Sequence, residues 1–137
     1  MRAEASVATQ PASSKQRNIL IVNDRQEILD SIARFLSQHD DVQVVGTARG
    51  LAEAVDSARL LQPEVVVCDY SLLRPSTLER ISLLRQTLPQ ACIIVMSYDD
   101  ESEAQQSARD AGANDFISKF NLADDLLPAL HRCSALI

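Results

Sequence analysis

"PEVVVCDYSLL", residues 63–73, runs three valines and a cysteine straight into an aspartate, Asp69. In a helix these residues would place apolar groups on every side. In a strand buried on both faces such a run is expected, and the first charged residue marks where the strand emerges. What Asp69 does at that point of emergence is the question the rest of the chain answers.

The same pattern recurs on either side. "NILIVN" (18–23) is a short apolar strand, and "RQEILDSIARFLSQH" (25–39) follows with Ile28, Ile32, Phe35 and Leu36 at helical spacing. "VQVVGTA" (42–48) reads as a second strand. "LAEAVDSARLLQ" (51–62) is a helix with Leu51, Ala54, Val55, Ala58 and Leu61 on one face, closed by Pro63. Beyond the opening stretch, "TLERISLLRQTL" (77–88) is a third helix, stopped before Pro89. "ACIIVMS" (91–97) is a continuous apolar strand, and "DESEAQQSARDAG" (100–112) a polar helix ended by Gly112. "DFISK" (115–119) is a short fifth strand. "LADDLLPALHRCSAL" (122–136) is the last helix, weakened in its middle by Pro128. Five strands alternating with five helices predict an α/β fold, a doubly wound parallel sheet covered on both faces.

Composition sets the bounds. A chain of 137 residues, 46% hydrophobic and 23% charged, is enough for one domain with its own core. A net charge of -6 argues against nucleic acid as the main partner, because phosphate binding rests on Lys and Arg, and it tolerates a cation. Three cysteines cannot all pair with one another. Cys68 and Cys92 lie in apolar strand runs, so the expectation is buried thiols in a reducing cytosol. No stretch is long and apolar enough to cross a bilayer, and a cytoplasmic protein without membrane contact is expected. Residues 1–17, small, polar and without an apolar signal region, read as a flexible tail before a domain over 18–137. His39 and His131 have no ligand spacing.

Right-handed crossovers put the C-terminal ends of all the strands along one edge of the sheet, where open α/β sheets bind ligands. Asp24, Asp69, Ser97 and Lys119 each follow a different apolar run and converge there. Two carboxylates, a hydroxyl and an ammonium group suit a hard divalent cation and a phosphoryl group. Mg²⁺ takes oxygen ligands, commonly one or two carboxylates with waters and phosphate oxygens. A carboxylate can be the nucleophile that forms an aspartyl phosphate, and charge on the moving phosphoryl group needs cations and donors around it. Asp69 is the candidate nucleophile, Asp24 the metal anchor, Lys119 the cation on the phosphoryl oxygens and Ser97 the hydroxyl that hydrogen-bonds them.

With "ILIVND", "PEVVVCDYSL", "IIVMS" and "AGANDFISK" in this order, the chain from about 18 to 136 resembles the receiver domain of two-component response regulators. The resemblance implies a (βα)5, flavodoxin-like receiver fold. It implies phosphorylation of Asp69 and Mg²⁺ held by Asp24, Asp69 and the backbone carbonyl of Ser71, with Asn23 as an indirect contact. It also implies a switch made of Ser97 and the aromatic Phe116. The implied partners are a histidine kinase or phosphotransfer protein, and a downstream protein or second copy bound through the fourth helix, fifth strand and fifth helix. It implies no direct contact with nucleic acid and no enzyme beyond autocatalysed transfer and loss of the phosphoryl group.

Several positions depart from the family pattern. Asn23 stands in place of the first member of an acidic pair, which removes a charge from the metal site. Leu73 and Thr77 replace the usual proline and glycine, so the loop after Asp69 must turn differently, with Pro75 the candidate for the turn. Tyr98 is bulky where a small residue is usual, and Phe120 replaces a common proline. Two other readings stay open. The departures keep open a degenerate receiver that binds proteins without phosphorylation; the other reading, the receiver part of a DNA-binding regulator, comes from the stretch Leu29–Tyr70, which resembles receivers that usually precede a helix-turn-helix domain. A flavodoxin-type cofactor site would need a Ser/Thr/Gly phosphate loop, and "NDRQE" after the first strand is not one.

Overall fold

A computed structural model of the chain describes residues 16–74, 76–97 and 102–134. The expectations for the tail up to residue 15 and for a turn at Pro75, and the bulky Tyr98, fall outside these residues. The elements alternate as β1 (Arg17–Val22), α1 (Gln26–Leu36), β2 (Val42–Ala48), α2 (Leu51–Leu61), β3 (Val65–Asp69), α3 (Thr77–Thr87), β4 (Cys92–Ser97), α4 (Ser102–Ala111), β5 (Asp115–Ser118) and α5 (Leu122–Ser134). Short 3-10 turns follow β3 at Tyr70–Leu72 and β5 at Lys119–Asn121. The five strands form one parallel sheet in the order β2-β1-β3-β4-β5. The doubly wound α/β fold expected from the sequence is the one observed.

Each apolar run splits by alternation between the two faces of the sheet. Val66, Cys68, Ile93 and Val95 pack with α2, α3 and α4, through Ala54, Ala58, Ile81, Leu84 and Ala108. Val65, Val67, Ile94 and Met96 pack with α1 and α5, through Leu29, Ile32, Leu36, Leu126 and Leu130. All five residues of β3 are buried, Asp69 included. The helix ends follow local chemistry. Gln62 closes α2 in the left-handed region (φ 49°); its backbone N–H donates to the Ala58 carbonyl, and its amide nitrogen donates to the Ala58 and Arg59 carbonyls at the helix end. Helix α5 continues through Pro128, which lies on its exposed face one turn beyond the exposed Asp124.

Two long-range ties had no signal in the sequence pattern. The Arg85 guanidinium, at the end of α3, donates to the carbonyls of Gly112 (2.8 Å) and Ala91 (2.6 Å) and to Asn114 Oδ1 (2.6 Å). It thereby fixes the turn from α4 into β5. Gly112 sits there at φ +124°, and a Cβ would come within 3.2 Å of the Arg85 side chain.

The second tie corrects an expectation. Cys92 is not a thiol: it is disulfide-bonded to Cys133, with Cα atoms 5.9 Å apart. Cys133 lies on the inward face of the last turn of α5, directly over the start of β4, and 41 residues of separation hid the pairing. Only Cys68 remains free among the described residues. Burial pushes its thiol up to about 12, with the Asp69 charge adding to the effect, so it is a core residue without nucleophilic character. Closing a loop of 41 residues stabilises by about 4 kcal/mol in the chain-entropy account. Urea unfolding of the protein with and without reductant should show a loss of that order, and Cys133→Ala should show no further response to reductant. Unchanged midpoints would mean that the two sulfurs are not joined in solution.

Candidate functional site

Strand order changes direction between β1 and β3, and the crevice at such a switch point opens at the strands' C-terminal ends. A cleft of about 350 Å³ lies there, lined by Asn23, Asp24, Asp69, Ser71 and Lys119, with Met96 and Leu122 among its apolar walls. Alternation explains the grouping. Asn23 continues the row of Ile19 and Ile21, Asp69 the row of Val65 and Val67, and Lys119 the row of Ile117, all on the α1/α5 face.

The Asp69 carboxylate is 3% exposed and has three donors. Its Oδ2 accepts from Lys119 Nζ at 2.6 Å and from Asn23 Nδ2 at 2.9 Å, and its Oδ1 accepts from the Ser71 backbone N–H at 3.0 Å. A buried carboxylate survives only with such partners. The 3-10 turn after β3 supplies the Ser71 donor, and the turn after β5 starts at Lys119 and directs its ammonium group back over β3. Asn23 is fixed from both ends, because its Oδ1 accepts from the Arg25 backbone N–H at 3.0 Å while its amide faces Asp69. Asp24 is exposed at the rim of the cleft.

Ser97 and Phe116 belong to the opposite row. Ser97 continues Ile93 and Val95, is buried, and stands level with Ser118 across β4 and β5. Phe116 is buried on the same face, where Tyr70 packs edge-on against it with ring centroids 6.0 Å apart. Tyr70 immediately follows Asp69, so one chain link joins the carboxylate on one face to an aromatic pair on the other. Sequence reasoning missed Tyr70, and it also missed Arg49, whose side chain reaches the Asp24 backbone. Phe120 is 75% exposed beside the site.

Whether this donor set suits Mg²⁺ can be judged from its chemistry. Among the described residues no group of three or more His, Cys, Asp or Glu is arranged to hold a metal. A cation here would use the Asp24 and Asp69 carboxylates together with backbone carbonyl and water oxygens. That is the ordinary coordination of Mg²⁺, which keeps several waters, so the residues fit it. The oxygen of Asn23 already accepts from Arg25, so Asn23 adds a donor to Asp69 and no charge for a cation.

Replacing that donor is informative. Asn23→Asp would set a second carboxylate at hydrogen-bond distance from Asp69, where like charges repel. The variant should lose about 1–3 kcal/mol of stability in metal-free buffer at neutral pH, and should bind Mg²⁺ more tightly than the wild type. Denaturant unfolding with and without Mg²⁺ measures both. Equal stability and equal affinity in the two proteins would mean that position 23 does not face Asp69.

Comparison with known proteins agrees with this geometry. The family description "Response regulator receiver domain" matches residues 19–131. The transcriptional regulatory protein MctR of Rhizobium johnstonii is 31% identical over 113 residues, covering 82% of this chain and 52% of MctR. The response regulator protein VraR of Staphylococcus aureus is 27% identical over 116 residues, covering 85% of this chain and 56% of VraR. The chain thus spans about half the length of the curated relatives it matches. Among solved structures, a LuxR-family two-component response regulator from Aurantimonas superposes with a TM-score of 0.81 at 25% identity, over 88% of this chain and 86% of that one. The response regulator domain of Thermotoga maritima CheB superposes with a TM-score of 0.77 at 24% identity, over 87% and 96% of the two chains, a likeness of fold. With a match across 113 of its residues and a carboxylate, lysine and strand order of this kind, the chain belongs to the response regulator receiver domain family.

Proposed function

We propose that the chain is a phosphorylatable receiver of a two-component system or phosphorelay, with Asp69 as the phosphoacceptor. The observation that carries this reading is the Asp69 carboxylate, buried at a cleft yet 2.6 Å from the Lys119 ammonium group. An Asp69 oxygen attacks the phosphorus of a phosphohistidine or small phosphodonor, the P–N or P–O bond of the donor breaks, and the donor leaves with that electron pair. Lys119 is placed to follow the charge from the carboxylate to the phosphoryl oxygens, and the Asn23 amide is a second donor nearby. Ser97, at the end of β4 on the opposite row, would turn toward the cleft for its hydroxyl to reach a phosphoryl oxygen. Bound Mg²⁺, held by Asp24, Asp69 and the Ser71 carbonyl, would neutralise charge on the phosphoryl oxygens. The protein turns over no separate substrate; gain and loss of the phosphoryl group are its own chemistry.

The partners on this reading are a histidine kinase or phosphotransfer protein on the input side, and a protein or second copy of this chain on the output side. The output face is α4, β5 and α5. Asp115, at the start of β5, ties the two helices to it: Arg132 of α5 lies 2.6 Å and Arg109 of α4 3.7 Å from its carboxylate. A cytoplasmic location goes with a kinase partner, and a reducing thiol pool there would act on the Cys92–Cys133 bond.

Signal transfer requires that phosphorylation change a face the phosphoryl group does not touch. Beryllofluoride with Mg²⁺, as an acyl-phosphate mimic, should shift amide signals of the full chain at the Asp69 cleft and across 102–132. The distant shifts should shrink strongly in Ser97→Ala while those at the cleft persist. Shifts confined to the cleft in the wild type would contradict the output reading and leave a domain that binds phosphate without relaying it. No binding of the mimic would favour the phosphorylation-independent module, in which Asn23 and Lys119 satisfy Asp69 permanently.

A further inference from the structure

Arg49 follows β2 and is exposed, yet its side chain is committed to one place. Its Nη2 and Nε both donate to the backbone carbonyl of Asp24, at 2.8 and 3.2 Å, across 25 residues of sequence. Its own backbone N–H donates to Glu53 Oε1 at 3.0 Å, which seats the residue on the first turn of α2. The residue it grips lies between two fixed points. Asn23 is held by the Ala48 carbonyl (3.0 Å) and by Asp69, and the chain from Arg25 onward enters α1. Asp24 is the member of the cleft's carboxylate pair that is exposed, and its backbone sets the direction in which its Cβ leaves the chain toward the cleft it lines.

We infer that Arg49 is a positioning residue for the divalent-cation site: by holding the Asp24 carbonyl it fixes the peptide plane after Asp24, and so keeps that carboxylate aimed into the cleft. The inference rests on the reading that Asp24 and Asp69 hold a divalent cation. It makes a prediction of sign. A guanidinium near a cation site repels the cation, so an Arg49 that acted only through its charge would weaken metal binding, and removing it would tighten binding. A positioning Arg49 has the opposite effect. Outer partners that orient a ligand are worth about 10–100-fold in metal affinity.

The test is a titration of the full chain with MgCl2 alone, followed through amide signals of Asp24, Arg25 and Ser71, in wild type, Arg49→Ala and Arg49→Gln. The Gln amide nitrogen stands about where Nε does, so it can still donate to the Asp24 carbonyl but carries no charge. Positioning predicts that Arg49→Ala binds Mg²⁺ about tenfold more weakly, while Arg49→Gln binds at least as tightly as wild type. Thermal unfolding of the metal-free proteins should be the same in all three, since the side chain is exposed. Binding by Arg49→Ala as tight as, or tighter than, wild type would overturn the inference while leaving the cation site standing. An equal weakening in Arg49→Gln would overturn it too, since a side chain that can still donate to the Asp24 carbonyl would then fail to restore the affinity. A wild type that binds no Mg²⁺ would overturn the cation reading itself, and this inference with it.

Discussion

A carboxylate buried at the end of a parallel strand is the constraint on which this structure turns. Asp69 is ionisable, almost wholly out of water, and placed where four apolar residues have just passed through the middle of the sheet. An isolated charge there would be prohibitively unfavourable, so the surrounding chain has to bring donors to it from other elements. β1 brings the Asn23 amide, the turn after β3 its own Ser71 N–H, and the turn after β5 the Lys119 ammonium group. A buried ion pair of this kind is weak evidence for stability, since an apolar pair of the same shape would do as well or better. Its retention at the mouth of a cleft is therefore an argument about chemistry.

The alternation of strands divides the work between the faces. Asn23, Asp69 and Lys119 belong to the row that faces α1 and α5, and Ser97 and Phe116 to the row that faces the other three helices. Anything that happens at the carboxylate must cross the sheet to be felt at Phe116. Tyr70 spans the two sides, one residue from Asp69 and edge-on to the Phe116 ring. The turn at Tyr70–Leu72 therefore has two tasks, donating to Asp69 and packing against the aromatic partner.

Much of the fold was legible because a buried parallel strand has an unmistakable local signature. "VVVC", "CIIVM" and "ILIV" are too short for helices and too apolar for an exposed sheet, and β2 and the helices between them fell close to their expected bounds. Part of the candidate cleft was legible for the same reason, since Asp69 is the first polar residue beyond its run and Asp24 and Lys119 lie one position past the first polar residue of theirs, whereas Ser97, read with them, stands on the opposite row. What was not legible depends on pairs far apart in sequence. The Arg49 grip on Asp24, the Arg85 ties to Gly112 and Asn114, and the Cys92–Cys133 bond have no periodicity of their own. Asn23 is the instructive case. By type it read as a missing charge, whereas its geometry makes it a donor that holds the carboxylate.

The most direct measurement is the intact mass of the protein after incubation with a small phosphodonor and Mg²⁺, beside Asp69→Asn treated alike. The account predicts that the wild type gains a single phosphoryl group, which is lost on hydrolysis at alkaline pH as an acyl phosphate would be, and that the variant gains none. A wild type that stays at its starting mass across a wide range of donor and Mg²⁺, or a variant that gains the group equally, would contradict Asp69 as the acceptor.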